Sequence, residues 1–84
     1  MSFILQIRMK NIDGVLERVL GTIRYRGHQL LRLMAHPSPD GSRMDVTLKV
    51  DAGRGGTHLT RHLQKLFDVE AVECYSEVAH ASYG

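Results

Sequence analysis

Between residues 3 and 10 the chain alternates apolar and polar side chains, with Phe3, Leu5, Ile7 and Met9 on one side and Gln6, Arg8 and Lys10 on the other. This period of two predicts a half-buried strand, and Ile4 is the only break in its polar face. Asn11-Ile12-Asp13-Gly14 interrupts the alternation, and Leu16, Val19, Leu20 and Ile23 follow at the spacing of an amphipathic helix. Asp13 is placed to cap the helix start. Glu17 in the first turn and Arg24 and Arg26 in the last complement the helix dipole, and Gly27 supplies a left-handed stop.

Leu31, Leu33 and Ala35 mark the inner face of a second strand, which should end at the turn-forming run Pro37-Ser38-Pro39-Asp40-Gly41-Ser42. Met44, Val46, Leu48 and Val50 alternate with Asp45, Thr47 and Lys49, so residues 29 to 51 read as a hairpin. Thr57 is the expected cap of a second helix with the inner stripe Leu59, Leu63, Leu66 and Phe67, ending at Asp68. Val72 and Cys74 then define a short last strand.

The resulting order is βαββαβ. Each strand has one apolar side and each helix one apolar stripe, so both helices must cover the same face of a four-stranded antiparallel sheet. This is an α+β, ferredoxin-like architecture, expected as one domain over residues 1–78 with a tail at 79–84. The other face should be solvated, carrying Gln6, Arg8, Arg32, Asp45, Thr47, Lys49 and Glu73.

The chain has 84 residues, 43% hydrophobic and 24% charged, which suits one small globular domain. Its 11 Lys+Arg against 9 Asp+Glu leave a formal charge of only +2, with the arginines scattered, so a pI near 9.0 is weak evidence for nucleic acid. No stretch approaches a membrane span, and the N-terminus lacks the pattern of a secretory signal. A cytoplasmic protein is expected. The single cysteine, Cys74, reads as a small buried apolar residue in a reducing compartment.

Few residues offer chemistry. His58 and His62 have the spacing of a metal-binding pair but no third ligand nearby, and read as a helix flank. Gly53-Arg54-Gly55-Gly56 lacks the Lys and Ser/Thr of a phosphate-binding loop and reads as a strand-to-helix connection. The central strands present no aromatic stacking platform for bases, which argues against an RNA-binding role for this topology. No nucleophile has a His and carboxylate framework, so no catalytic residue, metal site or resident cofactor is expected. What remains is Asn11 to Gly14, a strand-to-helix loop whose backbone N–H groups can meet a carboxylate, with Asn11 offering donor and acceptor. A purely structural connection would account for the same residues.

Asn11-x-x-Gly14-x-Leu16-x-Arg18-Val19, followed by Arg26-Gly27 and a strand, resembles the signature of ACT domains, small-molecule sensing modules of amino-acid metabolism. Leu16-Glu17-Arg18-Val19-Leu20, Arg24-Tyr25-Arg26-Gly27-His28 and Leu63-Gln64-Lys65-Leu66-Phe67-Asp68-Val69 are similar to the small regulatory subunit of acetohydroxyacid synthase, or acetolactate synthase, of the short isozyme II type. The likeness spans about residues 3 to 77.

This resemblance implies a non-catalytic subunit that binds and activates a thiamine-diphosphate-dependent large subunit in branched-chain amino-acid synthesis, the cofactor belonging to that partner. It also implies an effector site at a dimer interface. By motif, the site would be Asn11, Ile12, Asp13, Gly14 and Val15 of one chain and His28, Gln29 and Leu30 of the other. Gln29 replaces the asparagine usual in valine-responsive members, whereas Gly14 is the glycine that isozyme II types tend to lose, so the two positions point opposite ways on valine feedback. An edge position for the second strand, with Leu30 and Met34 apolar, would favour a homodimer joined edge to edge. A free-standing amino-acid sensor and a nucleic-acid module are the alternatives.

Overall fold

The structure, a computed structural model, describes residues 2–51 and 56–76. Its elements are β1 (Ser2–Lys10), α1 (Val15–Tyr25), β2 (Leu30–Pro37), β3 (Arg43–Asp51), α2 (Gly56–Gln64) and β4 (Val69–Ser76), in the expected βαββαβ order. The strands form one antiparallel sheet in the order β2-β3-β1-β4, so β2 and β4 are its edges. β1 and β3 run side by side from Ser2 opposite Asp51 to Lys10 opposite Arg43.

Register explains the two faces, because directly opposed residues point the same way. Leu5 opposes Leu48 and Ile7 opposes Val46, whereas Gln6 opposes Thr47 and Arg8 opposes Asp45. The apolar rows join Val15, Val19 and Ile23 of α1 and Leu59 and Leu63 of α2 in one core, so both helices cover the same face. On the open face Arg8 grips Asp45 through two hydrogen bonds of 2.9 and 3.2 Å. Arg8, Arg32, Asp45 and Glu73 of the charged row foreseen there are exposed, and Arg8 and Asp45 pair within it.

Several expectations need correction. Asp13 does not cap α1: the cap position is Gly14, at φ 90°, and no side chain bonds the helix start. The α1 stripe is centred on Val15, Val19 and Ile23, with Leu16 and Leu20 only flanking the core. In β2, Leu31 is not an inner residue. Pairing shifts between Leu30 and Arg32, which sets Leu30 opposite the buried Val50 and leaves Leu31 48% exposed. Leu33 does oppose Leu48, yet as part of an edge strand it remains 41% exposed.

Phe67 is 80% exposed rather than on the α2 stripe, because the helix ends at Gln64 and tightens into turns from Lys65 N to the His62 carbonyl and from Leu66 N to the Leu63 carbonyl. Asp68, at φ 72°, then turns the chain into β4. Thr57 lies inside α2, its side chain outside the described residues, as is the connection 52–55. Cys74 faces the helix side opposite Leu5 but is exposed, since β4 is an edge with a neighbour on one side only.

Gly21 sits inside α1, where glycine is less favourable than alanine, and a Cβ added there would meet nothing within 4 Å. The chain's own packing therefore does not require it. Gly21→Ala should raise stability by about 0.5–1 kcal/mol in urea denaturation. Leu48→Ala, at a fully buried site on β3, should lower it by about 2–5 kcal/mol, while Phe67→Ser should stay within about 0.5 kcal/mol.

Candidate functional site

The eight residues expected to bind an effector fall into two groups at opposite ends of the sheet. β1 and β2 each run antiparallel to β3, so they run parallel to one another. Asn11 to Val15 follow the end of β1, and His28 to Leu30 lead into the start of β2. A single chain does not bring the groups together.

At the first end, Asn11 is tied to the β2–β3 turn. Its backbone N–H donates to the Ser42 carbonyl at 3.0 Å and its side-chain Nδ2 donates to the Gly41 carbonyl at 3.0 Å. The donor end of this amide thus holds the hairpin, leaving the Oδ1 end as the part that can face a ligand. Ile12 is 53% exposed and Asp13 is exposed, while Val15 turns into the core. Gly14 in the left-handed region lets the chain swing from strand into helix, a conformation costly for a residue with a Cβ. No side chain caps the start of α1, where the Val15 N–H turns back to the Ile12 carbonyl at 3.4 Å.

The turn that receives Asn11 is itself organised by one carboxylate. Asp40 Oδ1 accepts from Ser38 Oγ at 2.8 Å, Ser42 N at 3.0 Å and Ser42 Oγ at 2.7 Å. These donors, the Ser42 backbone N–H first, pull the Asp40 carboxyl down to a pKa of about 2. The run Ser38-x-Asp40-Gly41-Ser42 signals a turn in the sequence, but its role in anchoring Asn11 depends on contacts across 30 residues of chain.

At the other end His28 is 4% exposed. Its Nδ1 lies 3.0 Å from the Asp51 carbonyl, which can only accept, so this nitrogen carries the proton. Nε2 is buried without a partner among the described residues, and the Phe3 ring stands 6.1 Å away between centroids. Gln29 is bound through its backbone, accepting from Asp51 N at 3.0 Å and donating to Asp51 Oδ1 at 3.3 Å, which leaves its side chain exposed. A shallow groove there is lined by Arg24, Gly27, His28, Gln29 and Asp51.

Elsewhere the open sheet face carries a depression lined by Gln6, Arg8, Asp45, Thr47 and Glu73. The Arg8 guanidinium holds Asp45 below its ordinary pKa, and Arg43 does the same to Glu70 across a 3.0 Å ion pair. Among the described residues no group of three or more His, Cys, Asp or Glu is placed to hold a metal, and no helix is long and apolar enough to cross a membrane.

An Asp with a depressed folded-state pKa adds stability above its unfolded value near 4, lost as pH falls through the folded value. The turn should therefore hold from neutral pH down to about 4 and loosen between about 4 and 2. Carboxyl NMR titration should place the Asp40 midpoint at about 2, with the Asn11 side-chain amide protons shifting over the same range. Asp40→Asn should remove that shift.

Comparison with known proteins agrees with this architecture. The chain is similar to the crystal structure of the ACT domain from GTP pyrophosphokinase of Chlorobium tepidum, at 18% identity and TM-score 0.72, covering 88% of this chain and 96% of that one. It is also similar to formyltetrahydrofolate deformylase from Burkholderia mallei, at 15% identity and TM-score 0.74, covering 90% of this chain and 28% of that one. The regulatory subunit of aspartate kinase from Thermus thermophilus matches at 12% identity and TM-score 0.69, over 88% of this chain and 50% of that one. These likenesses show the fold. No curated protein matches the chain. The family model described as ACT domain matches residues 11–72, from the Asn11 loop through Val72 of β4, and the chain belongs to the ACT domain family.

Proposed function

We propose that this ACT domain is a non-catalytic regulatory subunit that binds and activates the thiamine-diphosphate-dependent large subunit of acetolactate synthase. The motifs around Leu16 to Leu20, Arg24 to His28 and Leu63 to Val69 support that partner. The observation that supports a regulatory reading is the position of Asn11 to Val15 and of His28 to Leu30 at opposite ends of a sheet whose β2 edge is open.

β2 is an edge strand, and Leu31, Leu33 and Met34 are exposed along it. Two copies pairing β2 antiparallel about a two-fold axis would set the Leu30 end of one against the Pro37 end of the other. The Pro37 end adjoins the turn to which Asn11 is bonded. Such a homodimer would face Asn11, Ile12, Asp13, Gly14 and Val15 of one protomer toward His28, Gln29 and Leu30 of its partner. A branched-chain amino acid fits the chemistry of that cleft. Its carboxylate would meet the uncapped start of α1, and its side chain would meet apolar Ile12 and Leu30.

Adding the chain to an acetolactate synthase large subunit should raise acetolactate formation and give co-elution on size exclusion. Absence of both effects would sink the assignment, and calorimetric binding of valine without stimulation would favour a free-standing amino-acid sensor. Light scattering at micromolar concentration should report a dimer, which Leu33→Asp with Met34→Asp should shift to monomer. A monomeric wild-type chain would remove the shared site.

A further inference from the structure

The ion pairs among the described residues, Arg8–Asp45, Lys10–Asp68 and Arg43–Glu70, all draw their cations from the sheet strands. The helix layer is different. Arg18, Arg26, Arg61 and Lys65 take part in none of these pairs, and Glu17 is the single carboxylate within α1 and α2. Arg18, Arg26 and His62 line a groove between the two helices, and the positive charges of Lys65 and Arg61 act on the same histidine. His62 is consequently harder to protonate than usual, first through partial removal from water and then through Arg26, Lys65, His58 and Arg61.

The groove floor is small and partly apolar, with Gly21, Thr22 and Leu66. Gly21 leaves open space where a side chain could stand without touching the chain, so its lack of one lets an outside backbone approach closely. At the rim Tyr25 is 84% exposed with the Arg26 guanidinium 5.7 Å from its ring centroid, and Phe67, next to Leu66, is also exposed. Exposed tyrosine and arginine beside a glycine floor are the composition of a binding hot spot.

We infer that the groove between α1 and α2 docks an acidic segment of a partner protein, its carboxylates meeting Arg18 and Arg26 and an apolar side chain resting over Gly21 against Leu66. The cations of the groove call for anions, and the one carboxylate of the described helices, Glu17, is not among the residues that line it. A short cationic cluster over an apolar floor suits a peptide better than the continuous phosphates of a nucleic acid. The inference stands apart from the acetolactate synthase reading, and its test contains no large subunit.

The probe is a short synthetic peptide alternating glutamate and leucine, titrated into the full chain and followed by backbone amide NMR. Shifts should concentrate at Arg18, Gly21, Thr22, Tyr25, Arg26 and Leu66, weaken with salt, and be accompanied by a rise in the His62 pKa as the neighbouring positive charge is neutralised. Arg18→Glu with Arg26→Glu should weaken binding by about tenfold or more. Gly21→Leu should weaken it without lowering the melting temperature, separating a filled groove from a damaged fold. Four results would each overturn the inference: no shifts at millimolar peptide, equal shifts with a glutamine–leucine peptide, tighter binding of oligothymidylate at the same residues, or a change of oligomeric state caused by the arginine substitutions alone.

Discussion

The pairing of β1 with β3 is the contact on which the rest of the molecule depends. It sets Leu5 against Leu48 and Ile7 against Val46, fully or almost fully buried, and so creates the apolar surface that both helices need. Non-local pairing of this kind requires the chain to close a long loop before any apolar burial offsets the entropy. Once formed, it also decides where the polar residues lie, because the alternate positions Gln6, Arg8, Asp45 and Thr47 are carried to the opposite face together.

The two faces then handle charge differently. Across the sheet, opposite charges lie on neighbouring strands or at the strand ends and pair directly, as Arg8 does with Asp45 and Arg43 with Glu70. Such exposed pairs contribute little stability individually, but they leave the sheet face nearly neutral. On the helices the cations point outward beside one another, with Glu17 the one helical carboxylate. The small formal net charge of +2 therefore conceals a marked separation between a balanced sheet and a basic helix groove.

The ends of the sheet are also organised differently from one another. At one end the Asp40 turn and the Asn11 amide form a connected hydrogen-bonded corner, next to the left-handed Gly14. At the other, His28 is buried against Phe3 and bonded to the Asp51 carbonyl, while the Gln29 backbone accepts from the Asp51 N–H and donates to the Asp51 side-chain carboxylate. Asn11 and His28 thus have clear structural duties within one chain. The groups left outward-facing are the start of α1, the Gln29 side chain and the edge of β2.

Local patterning in the amino-acid sequence was enough to determine the element order, the inner rows of β1 and β3 and the common face of the helices, because periods of two and 3.6 translate directly into buried sides. The likeness around Asn11 and Gly14 likewise led to the family. Positions whose environment depends on another segment were decided only in three dimensions. Leu30 replaces Leu31 on the inner side because the β2–β3 register slips, and Phe67 leaves the core because α2 stops one turn early. Cys74 is exposed because its strand has one neighbour. The separation of Asn11 from His28 by the length of the sheet, and the gathering of cations between two helices distant in sequence, likewise follow from how the elements pack. Periodicity reports which side of an element is apolar, whereas register, edges and helix ends are settled by the partners that the rest of the chain supplies.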